Sequence, residues 1–275
     1  MPHWPGREET RDVWRRIAEA REERRPVVVA TVARSTGSVP RRIGAKMLIY
    51  GSGSVFGSIG GGLFEALVKE EAMAALEARH SRHRTWSFNP KGASPHAFGA
   101  VCGGRADVLL EVLMPTDRLL IVGGGHCGRA LARLAAGLDF EIDVVDDRSD
   151  VAVSEAFPWE NVRSVTCLPP DMEGLPDPDE QTWVALVSKG LATDEAALRR
   201  VLRSDCAYIG MIGSRRKRDL VFEHLRAEGA DEELLQRVHA PIGLEIGAET
   251  PEEIAISILA EIIQLRSARQ TQAPA

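Results

Sequence analysis

Gly123, Gly125 and Gly128, in the pattern G-x-G-x-x-G, and an acid at Asp146 stand at the spacing that holds a dinucleotide. In such a pattern the first glycine makes a tight turn, the second lets backbone approach a pyrophosphate and the third lets a helix close onto a strand, while an acid about 20 residues on takes a ribose hydroxyl. His126 lies inside the turn. NAD(P) is the ligand such a turn would hold, although the same glycines can serve packing alone. Two further turns have anion-binding chemistry. Gly60, Gly61 and Gly62 run straight into a helical stretch, and Gly213, Ser214 and Arg215 open another. Backbone N–H groups at a helix start lie at the positive end of its dipole and suit a phosphate. Arg41, in a polar loop, either grips an anion or is solvated. The four cysteines, Cys102, Cys127, Cys167 and Cys206, lack the C-x-x-C spacing of a zinc site or of a disulfide framework. Cys102 is the thiol placed for chemistry. Gly103 and Gly104 leave it open to a ligand, and a nearby arginine, Arg105 or Arg41, would stabilise its thiolate; otherwise it is an inert buried side chain. His80, His83 and His96 have no carboxylate or cysteine placed to complete a metal site, so none is expected.

Positioning these groups requires strands that alternate with helices. Leu119, Leu120, Ile121 and Val122, with no polar interruption, predict a strand buried on both faces. Cys127, Leu131, Leu134 and Leu138 then give one apolar helix face. Strands are expected at 141–146, 162–165, 183–187 and 207–212, with helices at 194–203 and after Ser214, a natural N-cap. The cations Arg215, Arg216, Lys217 and Arg218 oppose the dipole of that last helix, which points to an anion nearby. Thr250 with Glu253, and Pro251 between them, form a capping box for a final apolar helix at 254–266. The alternation predicts a C-terminal Rossmann-like, doubly wound parallel sheet over 116–275. Before it, a helix at 8–25, a strand at 27–32, a hairpin of 46–50 with 55–59, a helix from the glycines to about 78, and strands at 85–88 and 106–113 predict an N-terminal mixed α/β domain over 1–115. Met114-Pro115-Thr116-Asp117 reads as the boundary.

The chain of 275 residues is 44% hydrophobic and 27% charged, the balance of a globular protein. Its formal net charge of −6 argues against a general nucleic-acid binder. No apolar run reaches membrane-spanning length and the first residues form no signal-peptide core, so a cytoplasmic protein with no membrane partner is expected.

Several separate strings then agree with one family. G-S-I-G-G-G-L-F-E-A at 57–66, C-G-G at 102–104, G-G-G-H-C-G-R-A-L-A at 123–132, V-V-D-D-R at 144–148, Y-I-G-M-I-G-S-R-R-K at 208–217 and H-A-P-I-G-L-E-I-G-A-E-T-P-E-E-I-A at 239–255 resemble the XdhC/CoxI family. The resemblance covers nearly the whole chain. It implies an accessory factor for molybdenum hydroxylases such as xanthine dehydrogenase. Such a factor binds the molybdenum cofactor (molybdopterin) as cargo, protects it while a cysteine desulfurase installs a sulfido ligand, and delivers it to the apo-hydroxylase. A homo-oligomer, a dimer, is implied too. On this reading the three glycine turns, with Arg41, Gly104, His126 and Asp146, contact the cofactor, and Cys102 touches molybdenum or carries sulfur. The chain departs from the family pattern at Val101 and Leu63, where some members have cysteine, and in 188–194, which lacks a histidine associated with that region. An NAD(P)-dependent oxidoreductase and an enzyme acting on a pterin nucleotide are the alternatives.

Overall fold

The computed structural model describes residues 6–37, 41–88, 97–98 and 104–271. The chain divides after Pro115 into two compact units, and each contains a six-stranded sheet among the described residues.

The first unit contains α1 (Gly6–Glu22), β1 (Val27–Thr36), β2 (Lys46–Tyr50), β3 (Val55–Gly57), α2 (Gly62–Glu77), β4 (Arg82–Phe88), β5 (Ala97–Phe98) and β6 (Gly104–Leu113). Its sheet runs β3-β2-β1-β6-β4-β5, antiparallel except between β4 and β5. Side chains alternate across a strand, and β1 uses both faces. Val28, Ala30 and Val32 meet Phe64, Val68 and Ala72 of α2, whereas Val27 and Val29 pack with Ala20 of α1 and with Leu48. The sheet is therefore apolar on both sides, which suits the β-branched stretch at 27–32. Helix α1 stops at Glu22 rather than 25, because Arg24 adopts a left-handed backbone with φ 53 and the N–H of Arg25 turns back to the carbonyl of Ala20. Strand β4 begins three residues earlier than its apolar part suggests. Its basic start is held by Glu71 of α2, which accepts from Arg82 at 2.9 Å and Arg84 at 3.0 Å.

The second unit contains β7 (Arg118–Val122), α3 (His126–Ala135), β8 (Glu141–Asp146), β9 (Val162–Cys167), β10 (Thr182–Leu186), α4 (Leu191–Val201), β11 (Tyr208–Met211), α5 (Arg215–Ala227), α6 (Glu232–Gln236), β12 (Val238–His239) and α7 (Pro251–Thr271). The order β12-β11-β10-β7-β8-β9 is parallel throughout. The chain winds outward from β7 to β9, returns to the centre and winds the other way from β10. This is the doubly wound sheet that the strand–helix alternation predicts. Leu119, Ile121 and Ile142 bury one face against Leu131 of α3 and Ile258 and Ile262 of α7. Leu120, Val122 and Val184 bury the other against Leu198 of α4 and Val221 of α5. The reversal of winding lies between β7 and β10, and ligands of such sheets enter beyond the carboxyl ends of the strands at that point.

Candidate functional site

The turn after β7 is built by contacts that admit no side chain. A Cβ on Gly128 would lie 1.8 Å from the carbonyl oxygen of Gly123, so α3 closes directly onto the turn. Gly123 has φ +112, and a Cβ there would meet the backbone of Ser188 at 2.6 Å. The loops after β7 and β10 therefore touch, and the mouth of the sheet lies over them. His126 opens α3 and is exposed.

Asp146 ends β8 and is 1% exposed. Its Oδ2 accepts from the N–H of Gly124 at 2.7 Å and from Nη2 of Arg148 at 2.8 Å. Its Oδ1 accepts from the N–H and Nε of Arg148 at 2.9 and 2.8 Å. A carboxylate has about four acceptor positions, and all are used within the chain. Burial pushes this carboxyl up, but the Arg148 side chain and the two backbone N–H groups outweigh it and hold the group below the usual range. A ribose hydroxyl, the ligand the sequence suggests, reaches Asp146 only by displacing Arg148. Sequence reasoning passed over Arg148, although it follows the acid by two residues.

Beside this clasp lies a cleft of about 250 Å³ lined by Asp147, Arg148, Ser188, Lys189, Gly190 and Thr193. Thr193 Oγ1 donates to Asp147 Oδ2 at 3.1 Å. Behind it Asp194 is fully buried, accepting from the N–H of Ser188 at 3.2 Å and from Lys217 Nζ at 2.6 Å. The Lys217 stem fills the space that a Cβ on Gly213 would need, at 2.5 Å. Ser214 caps α5 as its position suggests, accepting from the N–H of Lys217 at 3.3 Å. The anions near the basic run belong to the chain: Asp194 for Lys217, Glu245 for Arg215 and Asp219 for Arg218.

In the first unit the Gly60–Gly62 turn also holds an anion of the chain. Glu65, in the first turn of α2, accepts from the N–H groups of Ile59 and Gly60 at 3.0 and 3.1 Å and from Ser58 Oγ at 2.6 Å. Burial opposes its ionisation, but the bonds from Ser58, Gly61, Ile59 and Gly60 prevail and keep it below the usual carboxylate range. An acid three residues into the helix that follows the glycines was the available signal. Arg41 is half-buried and Gly104 starts β6. Cys102 and Gly103 lie outside the described residues. Burial, then the charge of Glu252, pushes the Cys127 thiol up, and burial does the same for Cys206. Cys167 is exposed at the end of β9. Among the described residues no three His, Cys, Asp or Glu side chains group as metal ligands, and no helix is long and apolar enough to cross a membrane.

A further polar cluster ties together the strings at 208–217 and 239–255. Tyr208 donates to Glu261 Oε2, which also accepts from the N–H of Gly243 at 2.8 Å. Glu261 Oε1 lies 2.9 Å from His239 Nδ1, and the His239 ring is 4.7 Å from that of Tyr208. Burial, then the bond to Glu261, pushes the Tyr208 phenol far above its ordinary value. Burial also penalises ionised Glu261, but His239, Tyr208 and Gly243 hold its carboxyl low.

Comparison with known proteins places these features. Residues 119–262 match the model of the XdhC Rossmann domain, and residues 20–88 that of the XdhC and CoxI family. The chain is 37% identical over 262 residues to YqeB of Escherichia coli, spanning 93% of this chain and 46% of YqeB. It is 33% identical over 164 residues to a probable xanthine dehydrogenase component of Bacillus subtilis, spanning 58% of this chain and 46% of that one. It thus spans about half the length of these two relatives. The molybdenum cofactor insertion chaperone PaoD of Escherichia coli is 22% identical over 303 residues, covering 93% and 88%. A crystal structure of a xanthine dehydrogenase from Bacillus halodurans aligns with a TM-score of 0.51 at 21% identity, over 97% of this chain and 98% of the other, a likeness of fold. With a family model matched in each of its two units, the chain belongs to the XdhC and CoxI family.

Proposed function

We propose that this protein is a molybdenum cofactor chaperone: it binds molybdopterin as cargo, supports its sulfuration by a cysteine desulfurase, and inserts it into a xanthine dehydrogenase-type hydroxylase, acting as a dimer. The observation that carries the reading is family membership in both units. PaoD, similar along most of both chains, is named for this role. Soft thiolates suit molybdenum. Cys127 and Cys206 are held as thiols by burial, and the resemblance assigns the contact to Cys102. A nicotinamide-dependent reaction fits less well, because its ribose acceptor Asp146 is clasped by Arg148.

The test is molybdenum and pterin analysis of the protein purified from a host that makes molybdopterin, wild type beside Cys102→Ala, followed by mixing with apo-hydroxylase. Near-stoichiometric molybdenum and pterin with activation of the hydroxylase, both reduced in the variant, is the expected result. Wild-type protein that carries neither ligand and activates nothing overturns the chaperone reading. Unchanged activation by the variant overturns the role of Cys102 alone.

A further inference from the structure

Helix α7 is apolar on two sides. Ala255, Ile258, Leu259 and Ile262 are buried and pack on the parallel sheet with Leu119, Ile121 and Ile142. On the other side Ile256 and Ile263 are 51% and 40% exposed, with Ala260 half-buried between them. At about 100° per residue, positions 256, 260, 263 and 267 fall within about 60° of one another, the spacing of a seam between two helices. A surface helix with one packed face carries polar residues there, and one that is apolar all round is buried. The loop before the helix widens the patch. Leu244 and Ile246 are exposed, and the loop is fastened beside Ile256 at Ser257, whose carbonyl accepts from the N–H of Leu244 at 3.2 Å and whose Oγ donates to the carbonyl of Leu244 at 2.6 Å. Among the described residues of the second unit, the other large hydrophobic side chain this exposed is Leu220 of α5. Exposed apolar groups gathered in one place mark a contact surface, whereas single ones are ordinary.

The pattern along this face also says what covers it. Read from either end the seam is Ile, Ala, Ile, while the charges at its ends are opposite: Glu252 and Glu253 at the start of α7, Arg266 and Arg269 near its end. A second α7 turned end for end sets Ile256 against Ile263, Ala260 against Ala260 and Glu253 against Arg266. The helix cap uses Oε2 of Glu253 and leaves Oε1 to accept, and Arg266, 3.7 Å from Asp117, is a quarter exposed. The two helix dipoles then oppose favourably, and alanine at the centre lets the axes approach to the low end of the usual 8–10 Å. A twofold contact demands such self-complementarity, residue i meeting j as j meets i. We infer that the outer face of α7, with Leu244 and Ile246, is the contact between two copies of this chain, packed antiparallel about an axis beside Ala260. The inference rests on the dimer of the proposed function and adds the surface that makes it.

Sedimentation equilibrium of the whole protein from about 1 to 100 µM tests it, wild type beside Ile256→Glu and Ile263→Glu. The wild type is expected to dimerise, and each variant to dissociate at least about 100-fold more readily, because the symmetry places each change in the contact twice. Both side chains are exposed, so the variants are expected to keep the wild-type circular dichroism, which separates lost contact from lost fold. Direction is read by oxidative cross-linking with peptide mapping: Ala260→Cys is expected to link to its own equivalent, and Ile256→Cys to link when mixed with Ile263→Cys and not with itself. Linking of Ile256→Cys with itself overturns the antiparallel pairing. A dimer that survives both glutamate variants overturns this face and leaves the dimer standing. If those variants dimerise yet no longer activate apo-hydroxylase, the face belongs to the hydroxylase and the inference is overturned. A wild type that stays monomeric to about 100 µM overturns the face and the dimer together, while molybdenum and pterin analysis still decides the chaperone reading.

Discussion

Lys217 lies across Gly213 and sets its ammonium 2.6 Å from the carboxylate of Asp194, a residue with no exposed surface. Burial pushes the Asp194 carboxyl above the usual range, and the bonds from Lys217 and Ser188 offset this only in part. A raised carboxyl favours the fold as pH falls, since the native state keeps a proton that the unfolded chain has lost. Lys217→Met leaves the buried carboxylate unpaired and is expected to cost about 3–5 kcal/mol at neutral pH. The deficit should shrink as pH falls through the raised value, and Asp194→Asn added to Lys217→Met should recover most of it. Urea unfolding at several pH values measures this. A deficit independent of pH would place its cause elsewhere.

The clasp of Asp146 by Arg148 has the opposite sign. Held below the usual range, the carboxylate stabilises the protein above its ordinary value of 3.8, and that stability is lost as pH falls through the lowered one. Arg148→Ala is expected to cost about 1–2 kcal/mol at neutral pH, the guanidinium being partly screened by solvent. It should also flatten the acid limb of the thermal midpoint below about pH 4, because the variant no longer carries the stability that the clasp loses there. A variant whose acid limb follows the wild type would show that the clasp adds nothing to stability.

Tyr208 is the group to follow at high pH. The chain has two tyrosines, Tyr50 and Tyr208, so Tyr50→Phe leaves Tyr208 as the sole phenol. Its raised folded value means that stability is full below about pH 10 and is lost as pH rises further. Tyrosinate absorbance in Tyr50→Phe is therefore expected only where circular dichroism reports unfolding. Ionisation at about pH 10 with the fold intact contradicts the buried bond to Glu261.

Glu65→Ala removes the acceptor for the N–H groups of Ile59 and Gly60 and should destabilise the first unit by about 1–3 kcal/mol. Acetate or inorganic phosphate is expected to raise the thermal midpoint of this variant and leave that of the wild type unchanged. An anion effect equal in both proteins would mean that the turn is not the site of rescue.

What was legible in the sequence is what local spacing encodes. The capping box forms as the residues suggest, the N–H of Thr250 donating to Glu253 at 2.9 Å and that of Glu253 to Thr250 at 3.3 Å. The strand–helix alternation gave the parallel sheet for the same reason, since each period is read within a dozen residues. What was not legible is how separated polar groups pair. Lys217 and Asp194 are 23 positions apart, and Tyr208 and Glu261 are 53 apart. No spacing rule brings such groups together before the sheet exists. Strand β12, two residues long, and helix α6, five residues long, are too short for a periodic signal and form against neighbours already in place.

The Glu65 carboxylate that fills the glycine turn is also a competitor that never leaves. Tethered five positions from the N–H of Gly60, it acts at an effective concentration of the order of millimolar or more, whatever the concentration of other anions around it. A small anion at lower concentration therefore makes no headway in this turn. A ligand that also grips the protein elsewhere can displace the carboxylate and set it free, so that entry into the turn depends on total affinity rather than on charge. The donors of the turn are thus already taken by a carboxylate of their own chain, and dilute salts compete for them poorly.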